Sequence, residues 1–180
     1  MAQFKAFAPN VKVNGQTVNS LVAGMGAFKA VALKILSENG IDNPQPDQWY
    51  SQQAWLDSFK SIAAKVGANT LYQIGLKIPE NAKFPPTIDS PEKGLQALDM
   101  AYHMNHKDGE IGHYNFRKET EHSGKMVCKN PYPSDFDRGI IEGIIKKFKN
   151  GSSGITRVTL DPAQPTRKSG ADSCTYIVQW

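Results

Sequence analysis

The stretch Lys129–Phe148, KNPYPSDFDRGIIEGIIKKF, holds a break followed by a helix, and the sequence on either side of it reads as strand. Pro131-Tyr132-Pro133 interrupts any ladder, and Ser134 suits a helix cap. Behind the cap, Phe136, Ile140, Ile141, Ile144, Ile145 and Phe148 recur at helical spacing. The Ile140/Ile144/Phe148 stripe is expected to pack on a sheet. Upstream, Gly112, Tyr114 and Phe116 alternate with His113, Asn115 and Arg117, and Lys125–Lys129 follows across a His122-Ser123-Gly124 turn. Downstream, Ile155–Leu160 and Ser173–Trp180 pair around Lys168-Ser169-Gly170, with Cys174, Tyr176, Val178 and Trp180 on one face. The order is hairpin, helix, hairpin.

The first half changes period. Val11–Val13 and Gln16–Val18 flank Asn14-Gly15, which predicts a tight hairpin. Ser20 is then expected to cap one helix bearing Leu21, Met25, Phe28, Ala32, Ile35 and Leu36, ending at Asn39-Gly40. Asp42–Trp49 is a loop with two prolines. A helix from Ser51 shows Trp55, Phe59, Ile62 and Val66 and stops at Gly67. A third carries Leu71, Ile74 and Ile78 and breaks at Pro79. Asp89-Ser90-Pro91-Glu92 opens a fourth, with Leu95, Leu98 and Tyr102 along one face. Helices ahead of an antiparallel sheet give an α+β class. One domain is expected over 1–180, with a mainly helical half at 1–106 and a ββαββ half at 107–180.

Composition narrows the function classes. With 39% hydrophobic and 21% charged residues, the chain is long enough to bury a core. The net charge of +4 is dispersed apart from Lys146, Lys147 and Lys149, which argues against nucleic acid as a partner. No run approaches the roughly 20 apolar residues of a spanning helix, and the N-terminus lacks a signal-peptide layout. A cytoplasmic protein without a membrane partner is expected. The two cysteines, Cys128 and Cys174, form no CxxC pair and read as small buried hydrophobes; a metal or redox role is left open. There is no GxSxG elbow or Walker loop, so an enzyme is not expected.

The segment KNPYPSDFDRGIIEGIIKKF, followed by a strand and RKSGADSCTYIVQW, resembles a superfamily with two branches. One is the vinyl-reductase-type small-molecule-binding domain; the other is the haem nitric oxide/oxygen-binding domain. The resemblance is clearest from Lys125 to Trp180. It implies a ligand held between a helical half and a hairpin–helix–hairpin half. In the first branch it also implies a cysteine-rich zinc site, of which Cys174 matches the last cysteine, while Gln164-Pro165-Thr166-Arg167 supplies none. In the haem branch it implies a helix histidine and a Tyr-x-Ser-x-Arg clamp. His103, Tyr132 and Ser134 match in spacing, but Phe136 stands at the arginine position and the nearest arginine is Arg138.

Several candidate residues follow. The resemblance makes His103 a candidate haem-iron ligand, with Tyr132 and Ser134 beside it and haem as a candidate cofactor of otherwise unknown identity. Helical geometry instead puts His103 on a polar face with Asp99 and His106, about 100° from Tyr102. That trio, with His113 nearby, is also a candidate divalent-metal site. Trp49, Trp55, Phe59, Tyr72, Phe84 and Tyr102 from the helical half, with Tyr114, Phe116 and Tyr176 from the sheet half, are candidates to line an apolar pocket; ordinary core packing is the alternative. The expected function is a small-molecule-binding or sensing domain for an apolar or tetrapyrrole-like ligand. A haem-based gas sensor and an enzyme acting on a tetrapyrrole-related substrate are the alternatives. A signalling partner protein and a homodimer formed through the helical layer stay open.

Overall fold

A computed structural model describes residues 3–82, 84–149 and 155–180. Strand β1 (Lys12–Asn14) leads into α1 (Gly15–Gly24), and α2 (Lys29–Glu38) follows a short 3-10 turn. After a loop come β2 (Trp49–Ser51), α3 (Gln52–Lys65), α4 (Ala68–Asn81), α5 (Pro91–Met104) and β3 (His106–Lys107). The second half is β4 (His113–Thr120), β5 (Ser123–Lys129), α6 (Ser134–Phe148), β6 (Arg157–Leu160) and β7 (Cys174–Gln179). The α+β class and the hairpin–helix–hairpin order both hold. The second half forms a four-stranded antiparallel sheet in the order β4-β5-β7-β6. Cys128 stands directly opposite Cys174 across the β5–β7 pair.

Asn14-Gly15 makes no hairpin. The Asn14 side chain accepts a hydrogen bond from the Thr17 amide at 2.8 Å, so it caps α1. A Cβ on Gly15 would sit 1.8 Å from the Gln45 carbonyl oxygen, a close approach that only glycine permits. With no hairpin partner at hand, β1 pairs with two distant strands, giving a second sheet in the order β2-β1-β3. The single helix expected over Leu21–Leu36 is two helices meeting at 114°, because Gly26 adopts a left-handed φ of 51° between them. That turn leaves Phe28 exposed while Leu21, Ala32, Ile35 and Leu36 are buried.

Helix α4 runs through Pro79 to Asn81. Proline is tolerated there because the helix is already ending, and Lys147 Nζ donates to the Pro79 and Ala82 carbonyls at 2.6 and 3.0 Å. Ser90 caps α5 through the Lys93 amide, with Pro91 in the first turn. The α6 cap position belongs to Pro133 rather than Ser134, whose hydroxyl is buried without a partner.

Helix α6 lies between α4 and the four-stranded sheet and is buried on nearly all sides. Its sheet-facing side is led by Asp137, while Ile144 and Phe148 meet α5 at Gly94, so that stripe does not pack on the sheet as expected. A helix sandwiched on both faces needs two apolar stripes, and periodicity alone does not say which neighbour each one meets. Against α4 the backbones touch: a Cβ on Gly75 would lie 2.3 Å from the Phe136 oxygen, and one on Gly139 would lie 2.3 Å from the Tyr72 oxygen. One apolar core, from Val11 to Val178, runs through both halves. Among the described residues, no single helix is long and apolar enough to cross a membrane.

Candidate functional site: an uncharged cavity against His106 and Tyr132

Between the C-terminal half of α5, the end of α4 and the inner face of α6 lies a cavity of about 70 Å³. Ile78, Pro79, Leu98, Phe136, Ile140 and Ile144 give it apolar walls, and Trp55, Tyr102, His106, Tyr114 and Tyr132 add rings. At its mouth, Thr17, Ala82, Phe84, Ala101 and Asn105 also line a groove of about 280 Å³ that reaches Asn14, Gln16, Asn81 and Met104. Among the described residues, neither space is lined by an acidic or basic side chain other than His106.

His106 fixes the chemistry of the inner end. Its backbone pairs with Val13 of β1, which holds the residue just past α5 with its ring inward and buried. Nδ1 lies 2.8 Å from the Tyr102 carbonyl, and a carbonyl can only accept, so Nδ1 carries the proton. Nε2 therefore presents a lone pair, and the Tyr132 hydroxyl donates to it at 2.6 Å. Gln52 in turn donates to the Tyr132 oxygen at 3.1 Å, while the Gln52 Oε1 and the Trp55 indole N–H are buried without partners. Burial pushes the His106 pKa down from 6.5 to about 4. It pushes the Tyr102, Tyr114 and Tyr132 hydroxyls up. The described groups that line the cavity are thus uncharged near neutral pH.

A pH dependence follows. Unfolding returns His106 to its ordinary range, so between about pH 6.5 and 4 the unfolded chain holds more protons than the folded one. This group's contribution to stability is therefore complete above that window and is lost as pH falls through it. Urea unfolding across the window is expected to show about one more proton taken up by wild type than by His106→Gln. Equal slopes for the two proteins would contradict the buried neutral imidazole.

Behind the cavity sits a second polar cluster, wholly enclosed. Arg167 and Asp137 are both fully buried and form an ion pair. Arg167 also donates to the Asn130 backbone and side-chain oxygens at 2.6 Å each, and the Tyr114 hydroxyl donates to Asp137 at 2.5 Å. Burial works against the Arg167 charge, but the Asp137 carboxylate more than offsets it and holds the guanidinium pKa up. Burial raises the Asp137 pKa against the pull of Arg167, Tyr114 and Asn130. The Arg167 amide and Nε reach Cys174 Sγ, and both cysteines are free and buried.

The candidate residues divide. Trp55, Tyr102, Tyr114 and Tyr132 line the cavity. Phe59, Ser134 and Tyr176 are buried outside it: Phe59 packs on Trp55 and Phe136, and Tyr176 donates to the Ser134 carbonyl. Trp49 is exposed under Lys107, Phe116 lies against Trp180, and Tyr72 is half-buried beneath Arg138. His103 lies apart from these residues. Its ring is exposed, with Nδ1 bonded to the Asp99 carbonyl at 2.9 Å, and it is not part of the cavity lining. The expected trio of Asp99, His103 and His106 separates as well, since His106 turns inward and His113 takes its place beside the other two. Gln52, Asn130, Asp137 and Arg167 carry no local signal in the sequence. Only the fold shows that these polar residues are buried.

No family model matches the chain, and no curated protein is similar to it. Solved structures are. An H-NOX protein from S. oneidensis in the Fe(II) state, a triple mutant, aligns with a TM-score of 0.69 at 13% identity, covering 92% of this chain and 95% of that one. An oxygen-binding H-NOX domain related to soluble guanylate cyclases, in its oxygen complex, gives 0.64 at 15% identity, covering 92% and 91%. A structure probing heme distortion in the H-NOX family gives 0.67 at 15%, covering 93% and 94%. The chain has the fold of these domains. The vinyl-reductase-type part of the expected resemblance gains no support from them.

Proposed function

We propose, with the H-NOX fold as premise, that this chain is a small-molecule-binding domain for a neutral, largely apolar ligand. The ligand's inner end occupies the cavity against His106 and Tyr132, and its remainder lies in the adjoining groove. The observation that carries this reading is a largely apolar cavity to which the described residues bring no charged side chain, with unpartnered polar atoms on Trp55, which lines it, and on Gln52, which donates to the lining Tyr132. Buried polar groups ordinarily have partners, so such atoms suit a ligand or water. Sites for drug-sized molecules run to about 300–1,000 Å³. The inner space alone takes only a ring or a short chain, and a longer molecule must use the groove.

Haem is the second reading, favoured by the fold. These residues do not fit it as they stand. A tetrapyrrole needs a site several times larger than about 70 Å³. His103 lies outside the cavity lining, His106 Nε2 is occupied by the Tyr132 hydroxyl, and Phe136, at the position where the resemblance expects the clamp arginine, is an apolar part of the wall. Arg138 covers the Tyr72 ring instead of the cavity. Protein expressed with excess haem precursor is expected to show no Soret band. A stoichiometric band abolished by His106→Ala would establish the second reading in place of the first.

For the first reading, the test is a thermal-shift screen of neutral monocyclic and short-chain apolar compounds. A ligand at one hundred times its dissociation constant should add about 2.7 kcal/mol of stability. Trp55→Ala is expected to abolish that gain. Tyr72→Ala is expected to keep it, since Tyr72 lies outside the cavity. No stabilising compound in the panel would reduce the cavity to a packing defect.

A further inference from the structure

We propose that Asp99, His103 and His113 form a surface site for a borderline divalent transition metal of the Zn²⁺ type, separate from the cavity and independent of the ligand proposed for it. Asp99 and His103 are one turn apart on α5, and His113 opens β4, the edge strand packed beside that helix. One ligand atom from each of the three lies within 4.8 Å of the others. The two imidazoles approach to 5.0 Å between centroids, with their planes 33° apart.

The surrounding contacts fix the carboxylate and the tautomer of one imidazole. The Tyr114 backbone N–H donates to Asp99 Oδ1 at 2.8 Å, fixing the carboxylate and leaving Oδ2 directed at His113 Nδ1, 3.4 Å away. His103 Nδ1 bonds the Asp99 carbonyl, so it carries the proton and Nε2 keeps a free lone pair. A histidine whose second nitrogen is tied to a carbonyl is the usual arrangement at metal sites. Ligands at about 2.0–2.2 Å from one ion lie within about 3–4 Å of each other, so binding requires the two exposed rings to turn their free nitrogens together. Two imidazoles with one carboxylate favour zinc, nickel or copper over magnesium or calcium, and solvent fills the remaining positions. An ion there would join α5 to β4. Each of these elements also sends a ring into the cavity, Tyr102 and Tyr114 respectively.

Calorimetric titration of the metal-free full chain with ZnCl₂ tests the site. One equivalent is expected to bind, with the association constant lowered more than about tenfold by either His103→Ala or His113→Ala. Loss of even an outer-shell partner commonly costs that much. His122→Ala, an exposed histidine on the β4–β5 turn, should leave binding unchanged. Co²⁺ should give visible d–d bands in wild type and His122→Ala and none in His103→Ala. Both site histidines are exposed, so matching metal-free melting curves will separate loss of binding from loss of fold. No stoichiometric Zn²⁺, or binding that survives both site substitutions, overturns the proposal.

Discussion

Arg167→Met is expected to destabilise the protein by about 3–5 kcal/mol, the usual cost of stripping the partner from a fully buried charge. Both side chains of the pair have zero exposure, so water cannot replace the guanidinium. Without it the Asp137 carboxyl keeps Tyr114 and Asn130 but faces an uncompensated charge, and the Asn130 oxygens lose their donor. The position also ties the β6–β7 connection to α6 and to the end of β5, so the damage reaches three elements. Urea unfolding is the measurement. A double variant, Arg167→Met with Asp137→Leu, is expected to recover a large part of the loss, because an apolar pair carries no desolvation cost. A single-variant loss below about 1 kcal/mol would show that the pair contributes little.

Ile144→Ala should cost about 2–5 kcal/mol, the range for deleting most of a buried isoleucine side chain. Ile144 is fully buried where α6 meets α5, and its Cγ2 lies 2.6 Å from where a Cβ on Gly94 would stand. Close fit on that side limits how far the gap can collapse, while the cavity on the other side simply grows. Ile144→Val should cost only about 0.5–1.5 kcal/mol. If both substitutions cost the same, the removed atoms were not packed.

The second half of the fold was readable because each of its elements announces itself locally. Tyr114 and Phe116 alternate, Ser134–Phe148 carries its stripes, and α6 starts within one residue of where the sequence places its cap. What misled in the first half was local grammar overruled from a distance. Asn14-Gly15 has the composition of a hairpin turn, but its glycine serves a contact with Gln45 and its asparagine a helix cap. Pro79 reads as a helix end, yet Lys147, 68 residues away, accommodates its carbonyl. The candidate site suffered the same limit. His103 and His106 differ by three positions, and only the pairing of β3 with β1 decides that the second one points inward. Nothing adjacent in sequence marks Arg167 for complete burial.

The bare contact between α4 and α6 also settles how the cavity can respond to an occupant. At Gly75 and Gly139 main chain rests on main chain, with no side-chain tips to rotate aside. That side behaves as a rigid anvil, because interiors packed to this density store displacement poorly. Compliance must reside in the opposite wall, where α5 hands over to the two-residue strand at His106 and where Phe84 lies edge-on to Phe148. Swelling of the cavity therefore transmits outward along α5 and away from the α4–α6 seam. A strain gauge for occupancy, such as a fluorophore or a nuclear spin label, belongs on the exposed side of α5 at Met100.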